Sequence, residues 1–263
     1  MLPAHPTAAR HGPPNRLLLV HLTLLLLATA LLVMPAPTHG AEPLRINTAS
    51  VEPFVTKDGD GFLDLLVAEV FKRVGKQALI NSYRGASARS LTMANNGTDD
   101  GEALRIKGQE KNFPNLIRVP EPMLINRFVA YSRPGQGVIA NWADLRPHSI
   151  GFVQGWWIFQ KNTTDVPRIT TVNNAGQLFS MLNLNRVDVV LYEMWQGLWI
   201  AHANGIAVKV HDPPLAQVEM FMYLHNRHEQ LVPRVAEALA AMKADGTYQA
   251  IMDRVLRPLL PTT

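Results

Sequence analysis

The chain has 263 residues, 25 Lys and Arg against 21 Asp and Glu, a formal net charge of +4 and no cysteine. The absence of Cys excludes a disulfide framework, a Cys-ligated zinc or iron–sulfur cluster and a thiol nucleophile. With 47% apolar and 17% charged residues the composition excludes disorder and supplies a sizeable core.

The first forty residues read as a leader. Arg10 and Arg16 are the only charged side chains up to Gly40, and an apolar run over 17–34, broken by His21, Thr23 and Thr29, follows them. A basic start, an apolar run and small residues at Thr38 and Gly40 predict a signal peptide over 1–40, cleaved between Gly40 and Ala41, and hence a periplasmic protein. A retained membrane anchor is the alternative, because the run approaches spanning length. Removing the leader takes away two arginines and no acid, leaving 23 basic and 21 acidic residues over 223. So dispersed and small a charge excludes nucleic acid as a default partner.

The mature chain alternates strands and helices. Leu44–Ser50 reads as a strand and Val51–Gly61 as a loop. Phe62–Val74 carries Phe62, Leu66, Val70 and Val74 on one helical stripe, with Lys72, Arg73 and Gly75 as its stop signals. Ala78–Tyr83 is a second strand and Ala88–Asn95 a short helix, and Thr98–Arg118 is a polar stretch. Arg127–Ser132 reads as a strand before the break at Pro134-Gly135-Gln136-Gly137. A second unit then runs through strand Ser149–Val153, helix Trp156–Lys161, strand Ile169–Val172, helix Gly176–Leu184, strand Val187–Tyr192 and helix Met194–Asn204. Strand Val218–Leu224 and helices Glu229–Ala244 and Tyr248–Leu256 close the chain. The alternation predicts an α/β fold of two parallel-sheet halves, each flanked by helices.

In order, several of these pieces resemble the extracellular solute-binding proteins of family 3. They are Glu52-Pro53-Phe54, Gly61-Phe62-Leu63-Asp64-Leu65, Gly97-x-x-Asp100, Ala143-Asp144-Leu145 before Ile150–Gly155, Asn185–Val190, and Asp245-Gly246-Thr247-Tyr248. The resemblance implies a two-lobed periplasmic-binding-protein-like fold joined by two hinge strands. Lobe 1 would comprise 41–132 and 221–263, and lobe 2 would comprise 133–220. It also implies a monomer that captures an amino acid or related small carboxylate and delivers it to an inner-membrane permease or receptor. Where such binders carry Thr-x-x-Arg, this chain reads Gln109-Glu110-Lys111, and Arg105 lies five residues after Asp100 instead, as in a variant branch.

Arg105, placed at the cleft by the resemblance, has the planar fork that matches a carboxylate; the alternative is an ion pair with Glu102. Arg89 opens the helix after the second strand, where parallel α/β folds place anions. Glu193 follows strand Val187–Tyr192, where the resemblance implies an acid for the ligand's ammonium; a helix-start acid is the alternative. Trp156 and Trp157 follow Gly155, and one of them is expected to wall the cleft, with Tyr192 beside it. Trp195 and Trp199 read as core. His225 and His228 lack a third ligand for a metal. No cofactor and no catalytic residue is expected. The alternatives are an enzyme on the same fold, a prephenate- or cyclohexadienyl-dehydratase-like protein with Glu102 or Glu193 as its acid, and a ligand sensor that partners a membrane receptor.

Overall fold

The computed structural model describes residues 42–260. The leader and its cleavage site lie outside the described residues. Among the described residues no helix is long and apolar enough to cross a membrane.

The first group of elements is a parallel α/β run. Strand β1 (Leu44–Thr48) leads to helix α1 (Phe62–Arg73), β2 (Ala78–Ser82), α2 (Ser87–Asn95) and β3 (Gly101–Arg105). β1 pairs in parallel with both β2 and β3. Helix α1 begins where it does because the Asp64 carboxylate accepts the N–H groups of Thr56 and Gly61, at 3.0 and 3.1 Å. Its apolar stripe (Phe62, Leu63, Leu66, Val67, Val70 and Phe71) is fully buried, which is what stabilises an amphipathic helix in place.

The short strand β4 (Leu116–Arg118) precedes the long strand β5 (Leu124–Ser132). The second group follows as β6 (Ile150–Val153), α3 (Trp157–Asn162), β7 (Ile169–Val172), α4 (Ala175–Asn183), β8 (Val189–Glu193), α5 (Met194–Ala203) and the two-residue β9 (Lys209–Val210). β6 pairs in parallel with β7 and β8. Strand β10 (Ala216–His225) then runs back, and helices α6 (Leu231–Ala244) and α7 (Thr247–Val255) end the fold. Both pack on α1. Tyr248 meets Phe62 edge-on at 5.8 Å, and Arg73 reaches Asp245 at 2.6 Å and Thr247 at 2.8 Å.

The strand order is β2-β1-β3-β10-β5-β8-β6-β7, with β4 also on β10 and β9 also on β5. β10 carries the crossing. Its residues 216–220 pair antiparallel with β5, and its residues 221–225 pair with β3 and β4. β5 in turn pairs antiparallel with β8.

Two differences from the sequence pattern bear on the site. The polar stretch 98–118 holds two strands, and one of them, β3, is central and buried. It escapes the apolar pattern because Glu102 and Arg105 pair with each other inside it. The strand read as Arg127–Ser132 begins three residues earlier, at Leu124, so it includes Asn126.

A carboxylate locks the edge where β3 begins. Asp100 accepts hydrogen bonds from the Arg45 N–H at 2.8 Å, Arg227 Nη2 at 2.6 Å and His228 Nε2 at 2.6 Å. Burial raises its pKa, but the Arg45, His228 and Arg227 contacts outweigh that and hold the group below the ordinary aspartate value. Asp100→Ala is expected to cost about 1–3 kcal/mol of stability in urea unfolding near neutral pH. Because the folded-state pKa is depressed, this contribution is complete above the ordinary value of 3.8 and is lost as pH falls through the lower folded value. The gap between parent and variant should therefore close only in that acid range.

Candidate functional site

The C-terminal ends of the parallel strands gather polar side chains into two clusters, one on each β-group. In parallel α/β sheets this is the end at which ligands bind.

The first cluster depends on a bulge in β3. Successive residues of a strand point to opposite faces, so Glu102 and Arg105 would ordinarily diverge. Here β10 pairs Tyr223 with Glu102 and Phe221 with Arg105, setting three residue steps against two. Leu104 absorbs the extra residue at φ +56°, a left-handed conformation costly for a branched side chain. The kink returns Arg105 to the side of Glu102. Its Nε donates to Glu102 Oε1 at 2.6 Å and its Nη1 to Ser87 Oγ at 2.7 Å. Glu102 is fully buried and also accepts from Ser90 Oγ at 2.6 Å. Burial pushes its pKa up, against the opposing pull of Arg105 and Ser90.

Beneath this pair lies a second buried acid, Asp99. It accepts from Asn47 Nδ2 at 3.0 Å and from the Tyr83 hydroxyl at 2.9 Å. Arg89, in the first turn of α2, is exposed, with its guanidinium 5.7 Å from the centre of the Tyr83 ring. Arg105, Glu102 and Arg89 thus share one neighbourhood around the start of α2. Arg105 is only 14% exposed and is committed to Glu102, which its Nε and its buried Nη2 both contact, while Nη1 holds Ser87, so few N–H groups of its five-donor fork remain free.

The second cluster forms where β8 meets α5. Glu193 is the last residue of β8 and the N-cap of α5, and its side chain accepts the Gln196 N–H at 2.9 Å. It is fully buried, and its other oxygen, Oε1, has no hydrogen-bond partner. Burial pushes its pKa up to about 7, against the lowering effect of the Gln196, Trp195 and Met194 N–H groups. Tyr131 holds the junction, donating to the Met194 carbonyl; its hydroxyl lies where a side chain on Gly197 would have to sit.

The aromatic residues divide. Trp156 is half-buried and packs on Tyr192 at 4.7 Å, on Phe159 at 5.5 Å in a stacked pair, and edge-on to Phe128 at 6.0 Å. Tyr192 is buried in this wall. Trp157 points out, 67% exposed, with Lys161 Nζ 4.8 Å from its ring centre. Trp195 is buried on α5.

Several polar groups of the two clusters were outside the sequence reading. Ser87, Ser90, Tyr83 and Asp99 build the support of the first. Asn126 on β5 is buried near the second, and its Oδ1 has no partner. A polar residue in an apolar strand was the available signal. Among the described residues no group of three or more His, Cys, Asp or Glu side chains is placed to hold a metal ion.

No protein-family model matches the chain. A curated uncharacterized protein of Shewanella oneidensis is 23% identical over 169 residues, which covers 61% of this chain and 64% of that protein, so the chain spans less than two thirds of its relative. Among solved structures, an ancestral cationic amino acid solute-binding protein superposes with a TM-score of 0.66 at 20% identity, covering 81% of this chain and 95% of that one. A histidine kinase sensor domain with similarity to periplasmic binding proteins gives 0.64 at 16% identity, over 82% and 96%. The fold is a two-lobed periplasmic-binding-protein-like fold.

The pKa of Glu193 has a stability consequence. A folded-state value raised from 4.5 to about 7 favours folding most below 4.5, and that advantage is lost as pH rises to about 7. Glu193→Gln, whose amide oxygen can still accept from Gln196, should match the parent near pH 4 and melt higher than the parent at pH 8. Calorimetric scans at the two pH values check this.

Proposed function

We propose that the protein captures an amino acid or related small carboxylate between its two lobes and presents the closed form to a membrane transporter in the periplasm. In this reading 41–132 with 221–263 form lobe 1 and 133–220 form lobe 2. The observation that carries it is the pairing of opposite chemistry across a crossing of two strands. Arg105 stands at a strand end of the first β-group and Glu193 at a strand end of the second, linked through β10 and β5. Arg105 would take the carboxylate and Glu193 the ammonium, with Arg89 adding positive charge and the Trp156–Tyr192 wall enclosing the carbon chain. Only closure satisfies both ends of a zwitterion, so a bound solute shifts the population toward the closed form.

The similarity to solute-binding proteins and to a sensor domain supports ligand capture as the common activity. A sensor reading differs only in the membrane partner. An enzymatic reading would assign acid chemistry to Glu102 or Glu193, and turnover of prephenate by the purified mature chain would establish it.

A thermal-shift panel of amino acids and small organic acids should contain at least one stabilising solute. Arg105→Lys keeps a cation beside Glu102 but loses the bidentate fork, so it should remain folded and bind that solute about tenfold or more weakly. A panel without any stabilising solute, or a lysine variant that binds as well as the parent, would remove the assignment.

A further inference from the structure

Two buried oxygens lack hydrogen-bond donors at the base of the second cluster. They are Glu193 Oε1, on a side chain with no exposure, and Asn126 Oδ1, on a residue 9% exposed. Leaving such an acceptor unpaired costs about 1–3 kcal/mol, more when it is charged. Two in one neighbourhood therefore ask for a common donor. The strand register places them together: β5 and β8 are antiparallel, Phe128 lies opposite Glu193, and Asn126 is two residues before Phe128 on the same face. Asn126 and Glu193 are thus diagonal neighbours across the pair, a relation that spans about 7–8 Å, which one donor group between two long polar side chains can bridge. The same face carries Phe128, packed edge-on against Trp156, whose ring lies against Tyr192.

The first cluster sets the charge of the solute. The Arg105 cation is already paired with Glu102, and a second buried acid, Asp99, lies in the same cluster. The two clusters hold three buried acids, Asp99, Glu102 and Glu193, against two arginines, the partly buried Arg105 and the exposed Arg89. A dianionic solute would meet more negative than positive charge.

We propose that Asn126 and Glu193 form a two-oxygen acceptor site for an N–H-bearing cation, an ammonium or guanidinium group, and that the captured solutes are amino acids or amines of net positive charge rather than dicarboxylates. The inference rests on the solute-capture reading and assigns its ligand class. Asn126 acts as a specificity-determining residue: it adds a neutral acceptor where Glu193 alone would supply one.

Titration calorimetry of the mature protein with three probes, L-lysine, 1,4-diaminobutane and succinate, tests it. The parent should bind L-lysine at least tenfold tighter than succinate, with 1,4-diaminobutane also ahead of succinate. Asn126→Leu should weaken L-lysine about tenfold, and Asn126→Asp, which keeps an acceptor and adds charge, should bind it at least as tightly as the parent. If the leucine variant does not fold, judged by the melting temperature without ligand, the aspartate variant decides. Succinate binding tightest, or a leucine variant equal to the parent, overturns the proposal while solute capture stands. Loss of L-lysine in both variants overturns it too, because Asn126 would then be serving as an internal donor to Glu193. No binding of these three probes, with hits in the wider panel confined to anionic solutes, also overturns the ligand class alone. A blank panel overturns both readings.

Discussion

One strand carries two allegiances, and the rest of the molecule is arranged around that. β10 exchanges hydrogen bonds with β5 along its first half and with β3 and β4 along its second, within ten residues. At the change of partner the neighbouring chain must also turn. Met123 and Val119 donate their N–H groups to the Met220 and Met222 carbonyls, at 2.7 and 2.8 Å, carrying the ladder through the turn. The two β-groups are joined along this short stretch of β10 and the start of β5, and also where residues 257–259 pack on helix α5.

The bulge in β3 shows how the same strand shapes the chemistry. Pairing two residues of β10 against a longer run of β3 forces Leu104 into a left-handed conformation, and this brings Arg105 beside Glu102. Without that pairing, Glu102 would be a buried carboxylate without a cation, which costs far more than a bent strand. The conformational cost at Leu104 is offset by a satisfied ion pair, with Ser90 and Ser87 completing it. Glu193 has no such compensation. Its N-cap hydrogen bond satisfies one oxygen, and the other stays bare.

Much of the architecture was legible in the sequence. The stripe of Phe62, Leu66 and Val70 and the stop at Lys72-Arg73-Gly75 are local signals, and α1 follows them. β1, β2 and α2 appear in order for the same reason. β3 was not legible as a strand, because periodicity rules treat Glu102 and Arg105 as surface residues, whereas their burial depends on a partner strand more than a hundred residues away. Strand ends meet the same limit: Asn126 lies outside the strand that the apolar pattern marks, and Glu193, which the pattern puts after β8, closes it. The acid at that position was legible as a residue type. The bare oxygen was not, since hydrogen-bond satisfaction is a property of the assembled junction.

Identical side chains at consecutive positions after Gly155 meet different fates, Trp156 in the Phe128–Phe159–Tyr192 wall and Trp157 in solvent with Lys161 over its ring. Gly155, at φ +87°, turns the chain at the end of β6 so that the first indole of α3's approach faces inward and the next faces out. Trp156 is then held by three aromatic partners from β5, α3 and β8, so its ring reports on the packing of all three elements at once. The wall and the buried acid share β8, where Tyr192 and Glu193 are consecutive and point to opposite faces. A displacement of β8 that gives Glu193 a partner must also shift Tyr192 against Trp156. Packing and charge satisfaction at this junction are mechanically one variable.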